Sequence, residues 1–338
     1  MLNSNRIAIR RGMPSVVLAP MDGLADAPMR ALQGELGAFD FCVSEFVRVS
    51  GEVPGRKVFL RDVPELATDA STRSGLPVQV QLLGGHPGRM AEAAWVAYTC
   101  GATAIDINFG CPAPTVNRHD GGATLLKYPL RIKEIVAEVR DVLPSEIPVS
   151  AKLRLGWDSV DSILENACMA EEGGASWVTI HGRTKLEGYK PPAHWEPIGK
   201  VNRLLSIPVV ANGDIMSIDS FYRCQDITGC EHYMLGRGAI ADPSLSFSIS
   251  NALGLSNLEK VKRPRNAEDW IPVLHKLLFW IDQLQGKSDN YTLARLKQWL
   301  NIARMHGQFD RFDAIKRAGS VCELFDTLGY VEVGEVAY

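Results

Sequence analysis

Cys111 lies where the sequence changes from a buried strand to a glycine-rich loop. The segment AIDINFG at 104–110 has the apolar character of a strand, and Gly110, Cys111 and Pro112 lead from it into a loop that contains Gly121 and Gly122. A thiol with its ordinary pKa of about 8.5 is mostly protonated at neutral pH, so it can donate a proton to a carbanion. Cys111 is therefore a candidate general acid.

Lys152 and Arg154 are two residues apart in the strand-like segment PVSAKLRLG. Side chains at this spacing point to the same face of a strand, so both are expected to face one pocket. A lysine there could form a Schiff base, or it could donate to the electron-rich N1/O2 edge of a flavin. The residues alone leave both chemistries open.

Two glycine motifs, ANGD at 211–214 and GRG at 236–238, form the ends of the last two strand-like segments. Small residues at these positions expose backbone N–H groups, and barrel enzymes often bind phosphate after strands seven and eight. The alternative is that the glycines only make tight turns. The phosphate could belong to a substrate or to a cofactor such as FMN.

These residues follow short β-rich segments that alternate with helical patterns. The segments span residues 15–21, 40–46, 77–84, 104–110, 148–156, 176–182, 208–214 and 232–238. Eight repeats of this unit predict a (β/α)8 TIM barrel. After Pro243 the pattern becomes helical, which predicts a small C-terminal all-helical domain. We expect an N-terminal extension over 1–14, a catalytic barrel over 15–255, a linker over 258–266 and a helical domain over 256–338.

Composition limits the class of protein. The chain has 338 residues, a formal net charge of −3 and seven scattered cysteines without a CxxC pair. We expect a cytoplasmic monomer, since no leader or membrane segment is apparent, and no metal, since the histidines lack ligand spacing. Residues 256–317 nevertheless carry a net charge of +5. This basic segment is either an ordinary solvated surface or a phosphate-binding face.

Seven motifs in unbroken order resemble those of the tRNA-dihydrouridine synthases. They are APMDG (19–23), VQLLG (80–84), DINFGCP with Val116 (106–116), KLRLGW (152–157), HGRT (181–184), ANGD (211–214) and GRG (236–238). Three further segments are similar to the bacterial C-type branch, which acts on uridine 16 of the tRNA D-loop. These are SEFVRV (44–49), GGATLL (121–126) and RLKQW (295–299).

The resemblance implies an FMN-dependent, NADPH-consuming reduction of one uridine in tRNA to 5,6-dihydrouridine. Hydride would pass to C6, and Cys111 would protonate C5. The implied cofactor-binding residues are Pro20, Met21, Asp22, Gln81, Lys152, Asn212, Gly213, Asp214, Gly236 and Arg237. The implied uracil or tRNA contacts are Arg48, Asn108, Arg154, His181, Arg295 and Lys297. Phe109 stands where many relatives have a second cysteine, so we do not expect that position to be catalytic.

Three other functions remain open from the sequence. A flavin barrel that acts on a free pyrimidine, as dihydroorotate dehydrogenases do, explains the barrel but not the basic helical tail. A non-catalytic tRNA-binding module explains the tail but not Cys111, Lys152 and Arg154 together. A Schiff-base aldolase would use Lys152.

Overall fold

The structure is a computed structural model that describes residues 7–118, 120–255, 263–286 and 288–329. Its centre is a closed barrel of eight parallel strands in sequence order, in which β1 pairs with both β2 and β8. The strands are β1 Ser15–Leu18, β2 Phe41–Arg48, β3 Val78–Leu83, β4 Ile105–Asn108, β5 Val149–Arg154, β6 Trp177–His181, β7 Val209–Asn212 and β8 His232–Leu235. The predicted TIM barrel is confirmed, with one strand inside or overlapping each predicted segment.

Helices cover the outside of this barrel. They are α1 Ala27–Leu36, α2 Arg56–Asp62, α3 Pro87–Thr99, α4 Pro114–Asn117, α5 Pro129–Val142, α6 Ile163–Glu172, α7 Glu196–Leu204, α8 Ile218–Thr228, α9 Arg237–Ala241 and α10 Leu245–Ala252. Short 3-10 helices span Pro64–Ala67 and Gly122–Lys127. The apolar faces of most of these helices and the outward side chains of the strands form the largest core among the described residues, whereas α1 packs against the C-terminal helices.

Strand β5 shows how this packing places polar groups inside the barrel. Val149, Ala151 and Leu153 are buried in the core beneath the helices. Because side chains alternate along a strand, Lys152 and Arg154 must point inward. The same alternation turns polar residues of β3, β4, β6 and β7 toward the barrel axis.

Residues 7–13 cover the N-terminal end of the barrel. Ile7 and Ile9 are buried in a cluster with Phe41 and Trp177, which begin β2 and β6. Arg11 donates hydrogen bonds to the carbonyl oxygens of residues 205, 206 and 207. The described part of the predicted extension is therefore packed against the barrel.

The C-terminal helices pack on α1. They are α11 Ala267–Gln285, α12 Asp289–Met305, α13 Phe312–Ile315 and α14 Val321–Leu328. Met29 and Leu32 of α1 share one apolar core with Trp270 and Trp299, and Trp299 Nε1 donates to the carbonyl oxygen of Ile240 at 2.7 Å. The all-helical tail is confirmed for the described residues. Most of the predicted linker lies outside them, so the domain boundary stays a prediction.

Across the described ranges, no helix combines the length and apolar character needed to cross a bilayer.

Candidate active site

A cavity of about 410 Å³ opens where the barrel strands end in their C-terminal loops. This volume lies in the range of small-molecule pockets, about 300–1,000 Å³. Its wall contains all ten residues predicted to bind the cofactor, together with Cys111, Asn108, Arg154 and His181. Arg48, Arg295 and Lys297 are not part of this wall. The structure thus brings together predicted site residues that are up to 217 positions apart, from Pro20 to Arg237.

Lys152 presents a cation to this cavity. Its Nζ lies 3.4 Å from Asn212 Oδ1, a long contact between β5 and β7 across the inside of the barrel. Burial, followed by the charge of Arg154, lowers the pKa of Lys152 to about 8, and the charge of Asp106 opposes this decrease. A weakly paired cation in such a place is suited to an anionic or electron-rich ligand.

Cys111 is half-buried at the cavity wall. Its carbonyl oxygen accepts a hydrogen bond from the Ala123 N–H at 3.1 Å. Gly122 has a φ of +59°, and a Cβ there would lie only 2.8 Å from that same carbonyl oxygen, so glycine is required at position 122. Burial raises the pKa of the Cys111 thiol, which keeps it protonated at neutral pH.

The backbone before Cys111 is held on both sides. Asn108 Oδ1 accepts from the Gly110 N–H at 2.9 Å, and Asn108 Nδ2 donates to Gln81 Oε1 at 2.8 Å. Arg154 Nε donates to the Gly110 carbonyl oxygen at 2.7 Å. Three predicted site residues therefore determine where the thiol lies.

Arg154 and Tyr189 form the rim of the cavity. Arg154 Nη1 also donates to the carbonyl oxygens of Thr184 and Gly188, at 3.1 and 2.8 Å. The Arg154 guanidinium lies 5.0 Å from the Tyr189 ring centroid, and that of Arg237 lies 5.4 Å from the same centroid. Tyr189 thus lies close to two cations and keeps an exposed surface at the mouth of the cavity.

His181 is a neutral hydrogen-bonding group. Burial, then the charges of Arg154, Lys152 and Arg183, holds its pKa well below the ordinary value. Its Nε2 lies 3.4 Å from Arg183 Nη1, and an arginine can only donate, so the His181 proton must be on Nδ1. Within the described part of the chain, this buried Nδ1 has no partner.

Asp214 orders the glycine loops. Its carboxylate pairs with the buried Arg183, accepts from the Ala193 N–H at 2.8 Å, and lies 3.6 Å from Arg237 Nη2. The preceding Gly213 has a φ of +115°, which favours glycine. Two arginines therefore offset the negative charge of Asp214 beside the predicted phosphate position.

Sequence reasoning missed several residues of the wall. These are Glu45 and Phe46 of β2, Tyr189 in the loop after β6, and Gln298 and Ile302 of α12. Glu45 Oε1 accepts from the Gly23 N–H at 2.6 Å, and burial raises the pKa of Glu45. Two segments noted in the sequence contain some of them: SEFVRV contains Glu45 and Phe46, and RLKQW contains Gln298.

The contact of Arg295 and Lys297 with the tRNA backbone stays a prediction, and in the structure both side chains have partners within the protein. Arg295 is 6% exposed, pairs with Asp26 at 3.0 Å and donates to the carbonyl oxygens of Gly23 and Leu24. Lys297 Nζ donates to the carbonyl oxygens of residues 316 and 318. The buried Arg295 joins α12 to the loop after β1, whereas the half-buried Lys297 joins α12 to the segment before α14. Arg48 is exposed and donates to the Thr115 carbonyl oxygen, beside the loop of Cys111.

A family model described as dihydrouridine synthase matches residues 17–312. The chain belongs to the dihydrouridine synthase family. The matched region includes the end of β1, all of β2 to β8 and helices α1 to α12, so it covers the whole cavity wall. Members of this family reduce uridine in tRNA to dihydrouridine, and the chain is an oxidoreductase of this kind.

Curated relatives match most of the chain. A tRNA-dihydrouridine(16) synthase from Neisseria meningitidis serogroup B is 45% identical over 90% of this chain and 92% of its own length. Proteins of the same name from Pseudomonas putida and Shewanella oneidensis are 44% and 42% identical, over 84% and 89% of this chain and 86% and 92% of their own.

A solved structure shows the same fold at low identity. Histamine dehydrogenase from Rhizobium sp. 4-9 superposes with a TM-score of 0.55 and 14% identity, covering 82% of this chain and about half (51%) of that enzyme.

In the residues that the structure describes, no group of three or more His, Cys, Asp or Glu side chains could hold a metal ion.

Proposed function

We propose that this chain reduces uridine 16 in the D-loop of tRNA, with FMN in the cavity and NADPH as the electron donor. The position within tRNA follows the names of three relatives that match over most of both chains. The observation that carries the chemistry is that Lys152 and Cys111, a cation and a protonated thiol, lie on the wall of the same cavity.

The residues present fit a flavin. Lys152 is a cation with one long contact, and His181 Nδ1 is a buried donor with no partner among the described residues. Gln81, Lys152 and Asn212 would hold the ring, and the positive charge of Lys152 would favour electron density at the N1/O2 edge. When bound, the flavin supplies the hydride that the uracil C6 atom requires.

The glycine loops fit the phosphate of the cofactor. Gly236 precedes α9, and the first N–H groups of a helix have no partner within it. The Arg237 side chain is 32% exposed beside them and can donate to a phosphate oxygen. Because Asp214 is paired with Arg183, its charge does not exclude an anion here.

Cys111 would donate its proton to uracil C5. Burial keeps the thiol protonated, and Asn108 and Arg154 fix the adjacent Gly110 backbone. Asn108, Arg154 and His181 would surround the uracil, which must leave the base stack to enter the cavity. The thiolate left behind would be reprotonated by solvent, since Cys111 is only half-buried.

The tRNA backbone would contact the loops that follow β4, β5 and β6 beside the cavity. Lys127 Nζ and Lys185 Nζ lie 3.7 and 4.4 Å from the ring centroid of Trp157, so one indole orders two cations. Trp157 follows β5, Lys127 ends the 3-10 helix after the Cys111 loop, and Lys185 lies in the loop that contains Tyr189. This lysine–tryptophan cluster is better placed for phosphate than Arg295 or Lys297.

The proposal is tested by mapping dihydrouridine in tRNA from cells that lack this gene. We expect dihydrouridine at position 16 to disappear and to return with the wild-type gene. Purified protein should contain FMN, and tRNA should reoxidise the reduced flavin whereas orotate should not. Unchanged dihydrouridine at position 16 would refute the assignment of the nucleotide, and reoxidation by orotate alone would indicate a free pyrimidine as substrate.

A further inference from the structure

Asp106 is a buried carboxylate that the proposed chemistry does not use. It lies on β4, two residues before Asn108, is 2% exposed, and is not part of the cavity wall. Its Oδ1 accepts from Ser150 Oγ at 2.5 Å and its Oδ2 accepts from Gln81 Nε2 at 2.7 Å. Any effect of Asp106 on a ligand must therefore pass through another residue.

Hydrogen bonds connect Asp106 to the backbone beside the thiol. Gln81 Nε2 donates to Asp106, Asn108 Nδ2 donates to Gln81 Oε1, and Asn108 Oδ1 accepts from the Gly110 N–H. We call Asp106, Gln81 and Asn108 the amide relay. Its last contact is made one residue before Cys111.

The carboxylate at one end sets the orientation of both amides. An ionised carboxylate only accepts, so Gln81 must turn its NH2 group toward Asp106 and its oxygen toward Asn108. Asn108 must then donate through Nδ2, which leaves Oδ1 for Gly110. Ser150 Oγ accepts from Gln79 at 3.0 Å, so its own proton also goes to Asp106. Both carboxylate oxygens thus serve as acceptors.

We propose that Asp106 is a positioning residue that, through Gln81 and Asn108, fixes which amide atoms face the cavity and holds the Gly110 backbone in place for Cys111. Gln81 and Asn108 both lie on the cavity wall. The relay uses one N–H of each amide and so leaves one donor of each for a ligand. The part of this inference that concerns catalysis rests on the proposed function.

The proposal is tested by reversing the direction of the hydrogen bonds along the amide relay. In the single variant Asn108→Asp, a carboxylate oxygen of residue 108 faces Gln81 Oε1, so two acceptors face each other. In the single variant Asp106→Asn, residue 106 can donate as well as accept, so it no longer imposes one orientation on the Gln81 amide. In the double variant Asp106→Asn/Asn108→Asp, residue 106 can donate to Gln81 Oε1 and Gln81 can donate to residue 108, so every partner is satisfied again in the opposite direction. Ser150→Ala, which removes the other hydrogen bond of Asp106, is the matched control.

Hydrogen–deuterium exchange of the peptide that contains Gly110, and the rate of Cys111 alkylation by iodoacetamide, report on the loop without any reaction. We expect each single relay variant to change at least one of these rates by about tenfold, Ser150→Ala to leave both close to wild type, and the double variant to restore the exchange rate, since its carboxylate at residue 108 still slows alkylation by disfavouring the thiolate. Asp106→Asn should also lower kcat for tRNA by about tenfold with little change in KM, because the loop but not the RNA surface is affected.

The relay would be contradicted if the changes in exchange rate caused by the two single substitutions simply added up in the double variant. It would also be contradicted if Ser150→Ala changed the exchange and alkylation rates as much as Asp106→Asn does. If the single variants do not fold, folding of the double variant supports the relay and its failure to fold contradicts it. If wild-type protein makes no dihydrouridine, the proposed function fails, whereas the exchange and alkylation results still decide the relay.

Discussion

Arg154 and Gly110 are joined by a hydrogen bond of 2.7 Å from Nε to the carbonyl oxygen, across the ends of two neighbouring strands. The strand register explains it, because Asn108 at the end of β4 pairs with Lys152, which places Gly110 and Arg154 two residues further along their neighbouring segments. An inward-facing side chain of β5 thereby fixes the first turn of the loop that contains Cys111. The geometry of the thiol is thus a direct result of barrel register.

Replacing Arg154 by lysine should disturb the position of the Cys111 loop without affecting flavin binding. A lysine keeps the charge but cannot donate at once to residues 110, 184 and 188 as the guanidinium does. We expect Arg154→Lys to reduce single-turnover product formation with tRNA by about 10- to 100-fold, with unchanged flavin absorbance. Full activity in this variant would show that the loop needs no such anchor.

The lysine–tryptophan cluster should contribute to tRNA affinity. Each phosphate contact releases counterions, so Lys127→Ala/Lys185→Ala should weaken binding and reduce the slope of log K against log salt by about 1.5. The matched control is Lys57→Ala/Lys200→Ala, which removes the same charge from exposed positions on α2 and α7. Equal slopes for the two double variants would exclude the cluster as a specific contact. Filter binding or fluorescence titration at several salt concentrations provides the measurement.

Arg295 should stabilise the fold rather than bind RNA. Its loss leaves Asp26 and two carbonyl oxygens without their buried partner, so Arg295→Ala should lower the free energy of unfolding by about 3 kcal/mol. Arg304→Ala is the control, because Arg304 is exposed on the same helix and its hydrogen bonds go to Asn301. Urea unfolding compares them. If Arg295→Ala had the stability of wild type and a reduced slope of log K for tRNA binding against log salt, Arg295 would be an RNA contact.

His232 should make the barrel sensitive to acid. Burial lowers the pKa of His232 to about 4, whereas the unfolded side chain titrates near 6.5. Between these values only the unfolded chain binds the proton, so stability falls as pH falls below about 6.5. Both ring nitrogens are buried without a hydrogen-bond partner in the described structure, so His232→Leu should fold.

The difference between wild type and His232→Leu isolates this one group from the other titrating residues. Going from pH 7 to pH 4.5, wild type should lose about 2.5 kcal/mol more of its free energy of unfolding than the variant. Urea titrations at the two pH values measure it. Parallel losses in the two proteins would mean that His232 is not the acid-sensitive group.

Local patterns were sufficient to predict the barrel and most of its site. Alternation of apolar and polar residues along β5 put Lys152 and Arg154 on one inner face, and the rule that strand ends carry function identified Cys111 and His181. These inferences use only neighbours in sequence and the period of a strand. The structure places all four on the cavity wall.

Contacts between distant segments could not be predicted in this way. Tyr189 lies in a loop without periodicity, and its position depends on two arginines from β5 and from the start of α9. Gln298 reaches the wall only because α12 packs across the barrel through Trp299. The family resemblance implied that Arg295 meets tRNA, and no local pattern in the sequence indicated that the packing of α12 would bury it.

The most direct test of the account is the Cys111→Ala variant, purified and supplied with NADPH and with tRNA that lacks dihydrouridine. Because the proposed role of Cys111 is confined to proton donation at uracil C5, the variant should retain bound flavin and NADPH oxidation. It should form dihydrouridine at least about 100-fold more slowly than wild type, as expected for a lost general acid. Dihydrouridine formed at the wild-type rate would contradict the central claim.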